Sequence, residues 1–331
     1  MIAWTVVSTG PSPRREPAGV ESLEYRRASV DEPPGEVGWS AGGAPRHERR
    51  HVVPRPRSAL PNLVIIGAMK SGTTSLHAYL DQHPSIAMSA IKEIDFFLGS
   101  RYLRGPEWYA AHFDPTAPVR GESSTSYTKY PQRPGVPERM AECIPDARLV
   151  YLVRDPIERA VSHYVHARDR RRERRSLSEA LRPAATNIYL DPSRYAMQLD
   201  RYRAWFPPDR ILVVESEELR DEPRATLAAI CTFLAVPPFD FDTSARANVS
   251  DQRGVANPVI GLVESYRLKR WARMLPRSWT RPAKALNARL SRAAERPRLD
   301  EATRRLLVES FTDDVARLRR LTGQPFSRWS L

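Results

Sequence analysis

The stretch Asn62–Ser75, NLVIIGAMKSGTTS, constrains the fold more than any other part of the chain. Leu63 to Ile66 is a short apolar run rich in β-branched side chains, and Gly67 closes it. A run of that length without polar alternation predicts a strand buried on both faces. Ala68 to Thr74 turns the chain, and a helix is expected from Thr74 to about Gln82, with Leu76, Tyr79 and Leu80 on one face. Strand, glycine-bearing turn and helix N-terminus together make an anion site. The first N–H groups of a helix lack intrahelical acceptors, and the helix dipole favours negative charge there. Lys70 adds a full positive charge, and Ser71, Thr73 and Thr74 add hydroxyl donors. The residue order separates this loop from the Walker pattern, which places Lys directly after its second Gly. Here Lys70 precedes Gly72.

Charge and composition agree with an anionic ligand. Among 331 residues, 52 are basic and 39 acidic, a net charge of +13, and 41% are hydrophobic, enough to bury a core. Such a surplus suits an anionic cofactor or an acidic acceptor. The arginines are spread along the whole chain with no aromatic-interleaved basic motif, which argues against nucleic acid as a partner. Only Lys70, Lys92, Lys129, Lys269 and Lys284 are lysines. A chain this biased toward Arg that keeps Lys in its anion loop suggests a need for a compact ammonium there. Cys143 and Cys231 form neither a disulfide framework nor a metal cluster and read as reduced core thiols, and no metal is expected. No apolar run is long enough for a transmembrane helix. The first residues lack the pattern of a signal peptide, so a cytoplasmic enzyme is expected. Peripheral contact with a membrane through the Arg-rich C-terminal part stays open, and the oligomeric state is not legible.

Residues 1–58 are rich in Pro, Gly, Arg and Glu without a sustained period, and read as a disordered Pro/Arg-rich tail. Residues 59–331 are expected to form the catalytic domain. A short strand is expected over Ser85–Met88, a helix from Gly105 to about Phe113, a strand from Val119, and a second strong buried strand over Arg148–Val153. Asp155 fits the N-cap and Pro156 the first position of a helix running through about Leu181. Ser162 lies seven residues beyond Asp155, about two turns, and so on the same side. Arg168–Arg175 falls at the far end of that helix, as a solvated helical face or a contact for an acidic acceptor. Further helices are expected from Ser193 to Phe206 and over Pro223–Ala235, with a third strong strand over Arg210–Val214 between them. A helical Arg-rich part from about residue 256 and a helix ending at Leu321 complete the chain. Phe96, Phe97 and Trp108 read as core, and His83 as a turn residue. Strands alternating with helices predict an α/β domain with a central, mostly parallel sheet.

Three motifs, in order, carry a resemblance. Gly67 to Thr74, G-x-x-K-S-G-T-T, resembles the 5′-phosphosulfate loop of sulfotransferases that use 3′-phosphoadenosine-5′-phosphosulfate (PAPS). Lys92 to Phe97, K-E-x-x-F-F, with Trp108 and Tyr109 downstream, resembles the catalytic segment of the glycosaminoglycan sulfotransferases of heparan sulfate type. Arg154 to Tyr164, R-D-P-x-x-R-A-x-S-x-Y, resembles the 3′-phosphate site of the same family. Glu122 with Tyr127 is similar to an E-x-x-x-x-Y segment that borders the acceptor cleft in that family. Gly135 stands where relatives often carry a Lys before V-P-E, and Lys129 or Arg133 is a nearby source of that charge. Arg253-Gly254 resembles the loop that closes over the nucleotide.

The resemblance implies a three-layer, P-loop-like α/β fold and in-line sulfuryl transfer from PAPS to a hydroxyl or amine. The acceptor it implies is a small molecule or a saccharide, with a carbohydrate or glycolipid favoured. It implies that Lys70, Ser71, Gly72, Thr73, Thr74 and Ser75 hold the phosphosulfate and that Arg154 and Ser162 hold the 3′-phosphate. Arg253 and Gly254 then cover the nucleotide, Glu93 is the general base, and Lys70 stabilises the leaving charge. Two other readings stand beside it. One is a P-loop kinase or ATPase with Asp155 as a metal ligand; the order of Lys70 and Gly72, and Pro156 after Asp155, weigh against it. The other is a non-enzymatic binder of acidic polymers, in which Glu93 is only a surface carboxylate beside Lys92.

Overall fold

A computed structural model describes residues 59–244 and 297–331. The expectations for residues 1–58, for the Arg-rich part from about 256, and for Arg253 and Gly254 lie outside the described residues. Among those described, five strands form one sheet: β1 (Leu63–Gly67), β2 (Ile86–Met88), β3 (Val119–Ser123), β4 (Arg148–Val153) and β5 (Ile211–Glu215). The order is β2-β3-β1-β4-β5, and every pairing is parallel. β1 and β4 occupy the middle, which explains why their sequences are apolar almost throughout: both faces of each are covered.

Alternation along the strands divides the core in two. Leu63, Ile65, Val150, Leu152 and Val214 face one side, where they meet α1 (Thr73–Leu80), α7 (Ser216–Asp221) and α8 (Pro223–Leu234). Val64, Ile66, Leu149, Tyr151, Val153 and Val213 face the other. There they pack with α2 (Gly105–Ala110), α3 (Val136–Cys143), α4 (Pro156–Asp169), α6 (Tyr195–Arg203) and α9 (Glu301–Thr322). The result is the expected three-layer α/β sandwich. Phe96 and Phe97 are fully buried in the second core, with Trp108 half-buried against it.

This topology opens a place where a ligand can sit. The chain leaves β1 through α1 toward β2, on one side of the sheet's centre, and leaves β4 through α4 and α6 toward β5, on the other. Neighbouring strands whose connections diverge open a crevice at their C-terminal ends, the usual ligand position in such sheets. The loops after β1 and β4 carry the first and third motifs.

Asp155 and Pro156 act as expected. The Asp155 carboxylate accepts from the N–H groups of Ile157 (2.9 Å) and Glu158 (3.0 Å), and Pro156 opens α4. The expected helix to Leu181 is corrected: α4 stops at Asp169, and α5 (Leu177–Ala180) is a separate turn with its own Ser176/Glu179 capping box. The break is a Schellman closure, in which Arg172 N–H bonds Ala167 O and Arg171 N–H bonds Arg168 O. Arg171 takes the left-handed position that Gly usually fills, with φ 56°. Glu173 then turns inward and accepts from Arg174 N–H, Arg175 and the Tyr189 hydroxyl. Arg170–Arg175 is therefore not a helical face. His83 is a turn residue as expected, though buried: its ring bonds Ser85 N–H and Pro237 O. Of the two thiols, Cys231 is buried and Cys143 half-buried.

Candidate functional site

The loop between β1 and α1 is built by close approach and left-handed backbone. A Cβ on Gly67 would lie 2.0 Å from Thr128 Oγ1, so only glycine lets the 3-10 turn Thr125–Thr128 pack there. Lys70 (φ 75°) and Gly72 (φ 91°) both take the left-handed region. For a residue with a side chain that conformation costs on the order of 1–3 kcal/mol and marks a constrained position. Gly72 stands at the N-cap of α1 and supplies no side-chain cap to the helix. Ser71 and Thr73 are buried, and Thr74 and Ser75 half-buried. The Ser71 hydroxyl is buried with no hydrogen-bond partner among the described residues. An uncapped helix end, a cation and an unmatched buried hydroxyl are what an anionic oxygen cluster would satisfy.

The third motif meets this loop. Arg154, at the end of β4, reaches Lys70 O through Nη1 (3.5 Å) and pairs through Nη2 with Glu158 (3.4 Å). Ser162 lies further along α4 and is buried. Beside them stands a residue that sequence reasoning left without a role. Arg159 is fully buried, and its guanidinium donates to Met69 O (3.4 Å), Ser193 Oγ (2.5 Å) and Tyr189 O. It props the phosphate loop from behind, against the segment that leads into α6. Its position in the R-D-P-x-x-R string was visible, but its partners lie 30 to 90 residues away.

The second motif approaches from the other side. Glu93 Oε1 accepts from Thr125 Oγ1 (3.1 Å) and lies 3.4 Å from Lys92 Nζ, which in turn lies 3.5 Å from Thr73 Oγ1 at the start of α1. The carboxylate is 47% exposed, open to an incoming acceptor, while one lysine ties it to the phosphate loop. Glu93 and Asp95 both take left-handed φ, 63° and 54°. Glu122 and Tyr127, expected at the cleft border, are instead fully buried behind it.

Glu93 shares its surroundings with the Lys129 ammonium and the Asp95 carboxyl. Burial lowers the Lys129 ammonium below its ordinary value, while Glu93 and Asp95 pull it back. Burial raises the Asp95 carboxyl, and Glu93 adds to that. On α4, His163 is pushed down to about 2 and His166 to about 4, first by burial and then by cations that include Lys70 in both cases. Both imidazoles are therefore neutral near pH 7. The structure thus brings the Lys70 loop, Arg154 and Glu93 around one crevice.

A family model described as "Sulfotransferase domain" matches residues 60–249. Among curated proteins, the bifunctional heparan sulfate N-deacetylase/N-sulfotransferase 1 of Caenorhabditis briggsae is 30% identical over 231 residues, 62% of this chain and 26% of that protein. Bifunctional heparan sulfate N-deacetylase/N-sulfotransferase 4 of Mus musculus is 26% identical over 294 residues, 82% of this chain and 31% of that protein. The chain thus spans between a quarter and a third of the length of these relatives. Among solved structures, a sulfotransferase from Alicyclobacillus acidocaldarius superposes with a TM-score of 0.59 at 26% identity, over 82% of this chain and 99% of that one.

Proposed function

The chain belongs to the sulfotransferase domain family, and from that membership we propose that it moves a sulfuryl group from PAPS to a hydroxyl or amine of a carbohydrate or glycolipid. The observation that carries this reading is the meeting of the two phosphate-type motifs, with Arg154 Nη1 on the carbonyl of Lys70. PAPS is the usual donor of the family, and the residues present fit it. The unmatched Ser71 hydroxyl and the uncapped N-terminus of α1 suit the phosphosulfate end. The Arg154 fork and Ser162 suit the 3′-phosphate.

PAPS supplies the electrophilic sulfur when bound and departs as adenosine 3′,5′-bisphosphate. The chain's own residues do the rest. Arg154 and Ser162 hold one end of the donor, and the loop amides with Ser71, Thr73 and Thr74 hold the other, which fixes the sulfur relative to Glu93. The acceptor oxygen or nitrogen forms its bond to sulfur as the bond from sulfur to the bridging oxygen breaks. Glu93 takes the proton the acceptor loses. Lys70 stabilises the charge that grows on the bridging oxygen.

The heparan sulfate relatives support a saccharide acceptor, and the cationic residues around Glu93 suit one that bears acidic groups. The test is a transfer screen with 35S-labelled PAPS over N-deacetylated heparosan, glycolipids, phenols and peptides. Label is expected on the saccharide or glycolipid and lost with Glu93→Gln and Lys70→Ala. Label on phenols alone would overturn the acceptor class. Tight binding of ATP·Mg²⁺ without binding of adenosine 3′,5′-bisphosphate would overturn the donor. We place the enzyme in the cytoplasm, which fractionation of the native cell would check.

A further inference from the structure

Glu122 is among the buried groups that the mechanism leaves unused. Glu122 lies on β3 with no exposed surface. Its Oε1 accepts from the hydroxyls of Tyr109 and Tyr127 (2.8 Å for Tyr127), and its Oε2 accepts from Ser124 Oγ (2.6 Å). A carboxylate inside a protein is costly unless its lone pairs are met, and three hydroxyls meet them here. Burial pushes this carboxyl up, while the bonds from Ser124, Tyr109 and Tyr127 pull it back.

The chain of bonds continues from Glu122 to the backbone of Asp95 through Ser124. Asp95 N–H can only donate, and it donates to Ser124 Oγ (3.0 Å). With Glu122 ionised, Ser124 gives its single proton to the carboxylate. The same short stretch grips Glu93 twice. Glu93 N–H bonds Ser123 O (2.9 Å), and Thr125 Oγ1 bonds its carboxylate (3.1 Å). Ser124 N–H bonds Ile65 O (3.1 Å), two residues before the phosphate loop opens. Glu93 and Asp95 are both held at left-handed φ, which side-chain-bearing residues keep only where the surroundings over-determine it. Tyr109 brings in α2, and its ring stacks on Phe96 with centroids 4.2 Å apart. Phe96 is the next residue but two after Glu93.

We infer that Glu122, with Tyr109, Tyr127 and Ser124, is a buried template that holds the Lys92–Asp95 backbone in its left-handed turn and so aims the Glu93 carboxylate at the crevice. These are positioning residues: they act through Glu93, and Glu122 itself meets the hydroxyls of Tyr109, Tyr127 and Ser124 inside the core. The inference rests on Glu93 being the base of the proposed transfer.

The test is a double-mutant cycle between Ser124→Ala and Glu93→Gln. Turnover is read with 35S-labelled PAPS and the saccharide that transfers fastest in the screen above, and binding is read by calorimetry with adenosine 3′,5′-bisphosphate. Ser124→Ala is expected to lower kcat by roughly tenfold, as small misplacements of a reacting group do, with bisphosphate affinity unchanged. In the Glu93→Gln background the same change is expected to cost nothing further. Tyr109→Phe, which keeps the ring and removes one donor, is expected to lower kcat by about threefold in the same Glu93-dependent way. Full kcat in Ser124→Ala beside a silenced Glu93→Gln overturns this inference alone. So does an equal loss in both backgrounds, or a loss of bisphosphate binding in both Ser124→Ala and Tyr109→Phe. Full turnover in Glu93→Gln removes the base assignment and this inference with it.

Discussion

Glu93 and Arg159 show opposite ways in which a single residue serves the crevice. Glu93 is exposed and held by its neighbours, and its work is to accept a proton. Glu93→Gln keeps its size and its contact with Thr125 but removes the basic site. Turnover is expected to fall by about 10²- to 10⁴-fold, the usual worth of a general base, while adenosine 3′,5′-bisphosphate still binds. Labelled-sulfate transfer and calorimetry check the two halves. Arg159 is buried, and its partners Ser193 Oγ, Tyr189 O and Met69 O are all neutral. Burial lowers its guanidinium from the ordinary value. Arg159→Met would leave those acceptors unmatched inside the protein, at a cost of about 3 kcal/mol in urea unfolding. It should also weaken bisphosphate binding, because Met69 belongs to the phosphate loop. Glu93 was legible in the sequence because its motif is local. Arg159 was not, because a string shows a residue type and not the carbonyls it will meet from residues 69 and 189.

α4 joins the donor corner to the wall of the crevice, and its two ends differed in legibility. Its start followed from chemistry written in adjacent residues, an apolar strand, an Asp and a Pro. Its end depends on Glu173 finding Tyr189 and on Arg171 accepting a left-handed conformation, and neither has a local signature. The start is also more heavily tied than a simple cap. The Asp155 carboxylate accepts from Ile157 N–H, Glu158 N–H and Ser330 N–H (2.7 Å), and Asp155 N–H bonds Glu217 Oε1 (3.2 Å). Glu217 in turn accepts from the Trp329 indole (3.3 Å). Residues 329 and 330 thus brace the corner that carries Arg154. Asp155→Ala is expected to destabilise the protein by about 2 kcal/mol, the upper end of the range for a lost cap, since the N–H of Ser330 loses its acceptor as well. Thermal melting checks this, and a change no larger than a few tenths of a kcal/mol would mean that water replaces all three bonds.

At the scale of the whole molecule, the alternation of strands and helices was readable, but the order β2-β3-β1-β4-β5 was not, since no residue records which strand it will lie beside. That order gathers Lys70 after β1, Lys129 after β3 and Arg159 of α4 at one end of the sheet, and the gathering has a consequence for stability. His163 and His166 titrate near 6.5 when unfolded and at about 2 and about 4 when folded. Between pH 6.5 and 4 the unfolded chain therefore binds protons at these sites that the folded chain refuses, and their contribution to stability is lost as the pH falls. Glu215, at the end of β5, works in the opposite sense. Its carboxyl is raised by burial and then by Glu217 and Glu218, from 4.5 to about 7, and its Oε1 is buried with no hydrogen-bond partner among the described residues. Between pH 4.5 and 7 the folded chain keeps a proton there that the unfolded chain has released, so this contribution is lost as the pH rises. His163→Gln is expected to flatten the loss of stability between pH 6.5 and 4. Glu215→Gln is expected to stabilise the protein by about 1 kcal/mol at pH 8, discounted for water near the site, and to bring no gain below pH 4.5. Urea unfolding of the three proteins across that range separates the two contributions, and parallel curves would mean that neither the cationic crevice nor the buried carboxyl sets the acid response.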